Sequence, residues 1–194
     1  MAGLRARLAS RNPNKARELE GLLPGWTIEP LDADDYPPEE GDTYYENALT
    51  KARFGRTRAE PDAWVLGEDS GLEVEGLGGG PGLHSSRSAA GDEVGWVLRE
   101  LQGVKGEGRR ARYVCELVAL SPEGEELRGT GTLSGRIGDS PAGSGGFGFD
   151  PVFVPDDEQR TVAELGDGWK AQHSHRANAA RALLRALREA VRAV

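Results

Sequence analysis

A mixed-sheet α/β fold is what this sequence predicts, and three observations predict it. Short strand-like and helix-like segments alternate through the first half of the chain. Two long stretches, residues 112–120 and 126–137, flank the turn-forming Ser121-Pro122-Glu123-Gly124 and read as a hairpin. The chain then ends on one helical stripe of Ala180, Leu183, Leu184, Leu187, Val191 and Val194.

The elements follow in order. Leu4, Ala6 and Leu8 alternate with Arg5 and Arg7, the period of a strand with one buried face. A polar loop leads to a helix with Ala16, Leu19 and Leu23 on one side, stopped by Pro24-Gly25. Residues 26–31 form a second strand, followed by an acidic, proline-containing loop over 32–42. Tyr45, Ala48, Leu49 and Ala52 mark a helix face. Residues 63–67 read as a short strand and 72–77 as a separate extended piece, with a loop between them. Val94, Val97, Leu98 and Leu101 face inward from a helix that Gly103 ends, and a glycine-rich loop spans 138–155. No internal repeat and no dividing linker appears, so residues 1–194 are expected to form one domain.

Composition narrows the function. A net charge of −8, from 24 basic and 32 acidic residues, argues against a nucleic-acid polymer as partner. No apolar run could span a bilayer, and Arg5 and Arg7 are not followed by the hydrophobic block of a secretory signal, so a cytoplasmic protein without a membrane partner is expected. The single cysteine, Cys115, lies in an apolar stretch and reads as a buried thiol. Arginine outnumbers lysine twenty to four, yet Lys15, Lys51 and Lys170 all fall in segments with chemical potential. Lysine offers phosphate a compact point charge.

Five segments carry that potential. Ser10-Arg11-Asn12-Pro13-Asn14-Lys15 is a strand-to-helix junction, where free amides and Lys15 favour an anion, although the segment alone fits a plain turn capped by Asn12 or Asn14 better. Thr43 and Glu46 have capping-box spacing, so Glu46 either caps a helix or faces a metal. Gly67-Glu68-Asp69-Ser70-Gly71 puts two carboxylates where a strand ends, a ligand position in open α/β sheets, and oxygen donors of this kind suit Mg2+. Gly143-Ser144-Gly145-Gly146-Phe147-Gly148 satisfies G-x-G-x-x-G but fails as a dinucleotide fingerprint, because Asp150-Pro151 and Pro155 forbid the required helix. Its aromatics either stack on a base or pack beneath the loop. In Lys170-Ala171-Gln172-His173-Ser174-His175-Arg176, Ser174 would cap the last helix and leave two cations opposing the helix dipole, the kind of local conflict found at binding sites.

Taken in order, these segments resemble the Ham1, or inosine triphosphate pyrophosphatase, family. The resemblance is carried by Leu8-Ala9-Ser10-Arg11-Asn12 to Lys15, Glu46-Asn47-Ala48, Asp69-Ser70-Gly71-Leu72-Glu73-Val74, Gly145-Gly146-Phe147-Gly148-Phe149-Asp150-Pro151 and Ser174-His175-Arg176. It implies an elongated sheet with flanking helices, two lobes around a substrate cleft, a homodimer and magnesium dependence. It also implies hydrolysis of non-canonical purine nucleoside triphosphates (ITP, dITP, XTP) to a monophosphate and pyrophosphate. By the same resemblance, Ser10, Arg11, Asn12, Pro13, Asn14 and Lys15 hold phosphates. Glu46 and Asp69 serve the metal, Asp69 takes the proton of the attacking water, and Ser70 meets the substrate. Phe147, Gly148, Phe149, Asp150, Lys170, His175 and Arg176 would enclose base and sugar, with the donor-only guanidinium of Arg176 suited to a keto oxygen.

The chain departs from the family pattern at Glu68, where Asp is frequent, at Phe149, where Tyr is frequent, and at His84-Ser85-Ser86-Arg87, so a metal role for Glu68 is left open and His84 receives none. Two rivals are a pyrophosphatase of the septum-inhibitor type acting on pyrimidine or modified nucleotides and a nucleotide sensor without turnover. Ser174-His175-Arg176 and the Phe147 loop oppose the first; Glu46 and Asp69 oppose the second.

Overall fold

The computed structural model describes residues 3–88 and 91–192. Strands β1 (Leu4–Leu8), β2 (Trp26–Pro30), β3 (Trp64–Val74), β4 (Arg110–Leu120), β5 (Glu126–Ile137) and β6 (Phe153–Pro155) form one sheet in the order β2-β1-β3-β4-β5-β6. Helices α1 (Pro13–Leu22), α2 (Tyr44–Arg56), α3 (Ser85–Ser88), α4 (Glu93–Glu100), α5 (Val162–His173) and α6 (His175–Arg192) flank it. β1 runs parallel to both β2 and β3, whereas β5 and β6 are antiparallel. The sheet is therefore mixed, as the alternation of elements followed by a hairpin requires.

The chain divides into two compact units, one of residues 1–69, 115–131 and 176–194, the other of 70–114 and 132–175. In the first, Leu8, Leu19, Leu23, Ile28, Leu66, Leu117 and Leu183 build a core under α1 and α6, and Ala48, Ala52, Val118 and Leu120 build a smaller one under α2. In the second, Leu72, Val74, Val97, Leu101, Ile137, Val152 and Phe153 pack together, and the expected inward face of α4 is present.

Two expectations need correction, and one helix was not foreseen. Residues 63–67 and 72–77 are not two extended pieces joined by a loop: β3 runs unbroken through Gly67-Glu68-Asp69-Ser70-Gly71. Glycines and charges read as a turn, but Gly67 is required by packing. A Cβ there would lie 2.0 Å from the Ala48 carbonyl oxygen and 2.6 Å from the Ala52 nitrogen, so only glycine lets α2 press onto β3. Lys170 and His173, in a stretch for which no element was expected, lie on a helix, α5, whose capping box joins Thr161 and Glu164. Gly166 at φ 79° breaks the regular helix, which hid its period in the sequence. Finally, Leu183 is buried but Val191 is 70% exposed, so the apolar stripe of α6 stops contributing before the helix ends; Val194 lies outside the described residues.

The Gly67 contact gives a direct test. Gly67→Ala should destabilise the protein by about 1–3 kcal/mol, because backbone atoms cannot rotate away as a side chain can. Chemical denaturation measures this, and a change within experimental error would show that α2 does not depend on the close approach.

Candidate active site

A strand turns successive side chains to opposite faces, so Glu68 and Asp69 of β3 enter different surroundings within the first unit. Glu68 is fully buried. Lys15 Nζ lies 2.5 Å from its Oε2, while Arg176 donates to Oε1 from Nε at 3.2 Å and from Nη2 at 3.0 Å. Arg176 donates also to Glu18, and the Cys115 thiol faces Glu68 at 3.5 Å. Burial alone would raise the Glu68 carboxyl, but Lys15 and Arg176 outweigh it and hold it well below the usual carboxylate range. Burial, reinforced by the Glu68 charge, pushes the Cys115 thiol up, so it stays an inert core group.

Asp69, 5% exposed, faces α2. Lys51 Nζ donates to its Oδ1 at 2.8 Å and the Asn47 amide to its Oδ2 at 3.1 Å. Residues 47 and 51 are one helical turn apart, so a single face of α2 grips both oxygens. Lys51 also donates to the Glu68 carbonyl at 3.1 Å and pairs with Glu39 from the acidic loop. Burial raises the Asp69 carboxyl above its ordinary value; Lys51 and Lys15 oppose this and Glu39 adds to it. The result is a carboxylate with raised proton affinity, the quality a base at neutral pH needs.

Glu46 makes both halves of the capping box with Thr43, accepting the Thr43 amide at 3.0 Å through Oε2. It sits one residue before Asn47, the side chain that reaches Asp69. Among the described residues no group of three or more His, Cys, Asp or Glu gathers into a metal cage. Glu46 and Asp69 offer only hard oxygen donors, and Mg2+ is commonly held by one or two carboxylates completed by water and substrate phosphate. The capping half of the Glu46 expectation is present, and the capped carboxylate retains acceptor capacity.

The phosphate-loop candidate is an ordered helix start. Asn12 caps α1 by accepting the Asn14 amide at 3.0 Å, Pro13 occupies the first turn, and Ser10 Oγ accepts the Asn12 amide at 3.2 Å. Arg11 leans away to the acidic loop, donating to the Asp34 carbonyl at 2.7 Å and lying 5.3 Å from the Tyr36 ring centre.

The second unit gathers the remaining candidates except Arg176. Asp150, 4% exposed, accepts from Lys170 Nζ at 2.8 Å and from the Phe147 amide at 3.0 Å, and Tyr113 Oη lies 3.4 Å away. Gly146, at φ 71°, wraps the loop so closely that a Cβ would fall 2.1 Å from Asp150 Oδ2. Lys170 Nζ stands 4.7 Å from the Phe147 ring centre, and His175 stacks on Tyr113 at 4.5 Å and 12°. Phe149 packs into the apolar core, while Ser70 and Gly148 are half-buried. Arg176, expected to help enclose base and sugar, turns its guanidinium to Glu68 and Glu18 in the first unit. This resolves the conflict of a cation in the first turn of α6: two carboxylates offset the dipole penalty.

Sequence reasoning passed over Asn47, Glu39, Glu18 and Tyr113 and gave Lys51 no role. Of these, Asn47 stood within the quoted Glu46-Asn47-Ala48 motif and Lys51 among the singled-out lysines, but neither was tied to Asp69.

Known proteins complete this account. The model described as Ham1 family matches residues 6–186. The chain belongs to the Ham1 family. A relative from Thermus thermophilus, named dITP/XTP pyrophosphatase, is 42% identical over 97% of this chain and 94% of its own. Among solved Ham1 proteins, that of Coxiella burnetii superposes with a TM-score of 0.81 at 32% identity, over 96% of this chain and 99% of the other. The Staphylococcus aureus Ham1 protein gives 0.80 at 32% identity over the same shares.

The buried charges of this Ham1 chain set its stability. Arg176→Ala should cost about 3–5 kcal/mol, because it strands the buried Glu68 charge. Arg99→Ala, which breaks an exposed pair with Asp92, should cost less than about 1 kcal/mol. Urea midpoints compare the two, and equal losses would refute the central role of Glu68. The folded Glu68 carboxyl lies below its unfolded value of about 4.3. Its contribution is therefore present above that pH and is lost as pH falls towards the folded value. Glu68→Gln should lower stability at neutral pH and flatten the acid limb of the stability curve.

Proposed function

We propose that this protein hydrolyses non-canonical purine nucleoside triphosphates (ITP, dITP and XTP) to the monophosphate and pyrophosphate, with Mg2+. The carrying observation is Asp69: a buried carboxylate of raised proton affinity, held by Lys51 and Asn47 and under the influence of Lys15. The Ham1 membership of the chain and the name of the Thermus relative support the substrate class.

In this reading Asp69 accepts a proton from the water whose oxygen bonds to the α-phosphorus, as the α–β bridging oxygen departs with pyrophosphate. Such chemistry is chiefly positioning and charge neutralisation, which suits a site without a covalent nucleophile. Lys15 and the α1 start, from Ser10 through Arg11, Asn12, Pro13 and Asn14, hold phosphate oxygens. Glu46 and Asp69 hold Mg2+, which when bound polarises the phosphates and neutralises their charge. Ser70, Phe147, Gly148, Asp150, Lys170 and His175 serve nucleoside recognition, Phe147 by stacking and Phe149 by supporting the loop from below. Arg176 holds Glu68, which also pairs with Lys15, and it joins the residues that enclose the base. Among the described residues no helix is long and apolar enough to cross a membrane. A cytoplasmic homodimer is the remaining part of the proposal, supported by the family resemblance.

The deciding assay is pyrophosphate release from ITP, dITP, XTP, ATP, GTP and dUTP, with magnesium and with chelator. Preference for the first three, magnesium dependence, and pyrophosphate rather than inorganic phosphate are expected; the reverse on substrate or product would overturn the reading. Asp69→Asn should lower kcat by roughly 10²-fold or more while the protein stays folded. Retention of a tenth of the activity would remove Asp69 from the role of base. Lys15→Ala should weaken substrate and pyrophosphate binding together.

A further inference from the structure

We infer that Asn47 is a positioning residue for Asp69: a buried amide, locked in one orientation by Gly41, that supplies the carboxylate with an obligatory donor. The inference rests on the role just proposed for Asp69 and deepens it.

Asn47 is the fourth residue of α2 and is 2% exposed. A buried amide must satisfy both of its ends. Its Oδ1 accepts the Gly41 backbone N–H at 2.9 Å, and its Nδ2 donates to Asp69 Oδ2 at 3.1 Å. An amide can in principle be turned over, but here only one orientation works. Reversed, it would set N–H against the Gly41 N–H and oxygen against the Asp69 carboxylate, leaving the backbone donor without its acceptor and replacing an attraction by a repulsion. The backbone of Gly41, a donor that cannot become an acceptor, thereby dictates what Asp69 meets.

The glycine is part of the device. A Cβ on residue 41 would fall 2.8 Å from Asn47 Oδ1 and 2.8 Å from Glu46 Cβ, so no other residue brings this N–H so close to the amide. On the opposite oxygen, Lys51 donates to Oδ1 at 2.8 Å. Two donors one helical turn apart thus fix the plane of the Asp69 carboxylate, and its remaining lone pairs keep a set direction. A lysine alone could not do this, since its ammonium rotates about a flexible stem.

A helix-capping or packing role makes a different forecast from a positioning role, and Asn47→Asp and Asn47→Ala together separate them. Aspartate keeps the size of asparagine and still accepts the Gly41 N–H. Near a helix start its charge is favoured by the dipole. A structural role therefore leaves kcat of the uncharged Asn47→Ala unchanged, whereas Asn47→Asp also sets a second carboxylate beside Asp69. The positioning role requires kcat to fall by roughly 10²-fold, since the donor facing Asp69 becomes an acceptor and the carboxylate is displaced. KM for ITP should move by less than about threefold at saturating magnesium. Asn47→Ala, which removes both hydrogen bonds without adding charge, is the second variant and should lose about tenfold in kcat. Melting curves establish that each is folded, and at least one folded variant retaining half of the wild-type kcat would overturn the inference. Asp69→Asn is assayed alongside. Should it stay active, the role of Asp69 itself fails; should it be inactive while folded Asn47→Asp turns over normally, only the inference about Asn47 fails.

Discussion

The alternation of side chains along β3 sends Glu68 to one face of the sheet and Asp69 to the other, and most of the chemistry of the first unit follows from that geometry. Carboxylates packed side by side would contend for a proton and for cations. Separated by the sheet, each acquires its own partners: Lys15 and Arg176 for Glu68, Lys51 and Asn47 for Asp69. The two groups are driven in opposite directions as a result. Glu68 is held well below the carboxylate range by two cations, while burial raises Asp69 against the pull of one close lysine. The strand thus makes one acid a permanent anion and gives the other the greater proton affinity.

Each half of this division depends on packing. Glu68 is reached by α1 through Lys15 and by α6 through Arg176, so the anion joins two helices that are far apart in sequence. Losing either cation would leave a buried charge less than compensated, which is the costly outcome for ions removed from water. On the other face, α2 lies close enough to hold Asp69 because Gly67 presents no side chain to it. The same helix carries Asn47 and Lys51 one turn apart, so its approach to β3 brings amide and ammonium to Asp69 together.

Much of this was legible in the sequence. Strands β1 and β2, helices α1 and α2, the 126–137 strand, the capping box at Thr43 and an asparagine cap on α1, read as Asn12 or Asn14, followed from periodicity and local hydrogen-bond chemistry, which act over a few residues. The unbroken course of β3 was not legible, because Gly67 looks like a turn residue until the helix packed on it is known. Helix α5 escaped because Gly166 interrupts its period. At the candidate site, Asp69, Glu46 and Lys15 stood out by motif, whereas the link from Arg176 to Glu68 joins positions 108 residues apart that no local pattern relates. Asn47 was quoted within a motif but gained meaning only when its two hydrogen bonds, to residues on either side of it in sequence, could be seen.

The lysines draw these threads together. In a chain that uses arginine for nearly all of its positive charge, Lys15, Lys51 and Lys170 each pair with a buried carboxylate: Glu68 at 2.5 Å, Asp69 at 2.8 Å and Asp150 at 2.8 Å. Arginine presents a planar fork that commits paired donors to one carboxylate, as Arg128 does to Glu116. An ammonium is compact, and its three donors point in different directions. One bond to an internal acid fixes its place while its charge still acts on other groups. Lys51 shows this in full, reaching Asp69, the Glu68 carbonyl and Glu39 from one nitrogen. The two basic residue types thus do different work at these positions: the fork of Arg128 clamps Glu116, whereas the compact ammonium of Lys51 serves several oxygens from one nitrogen.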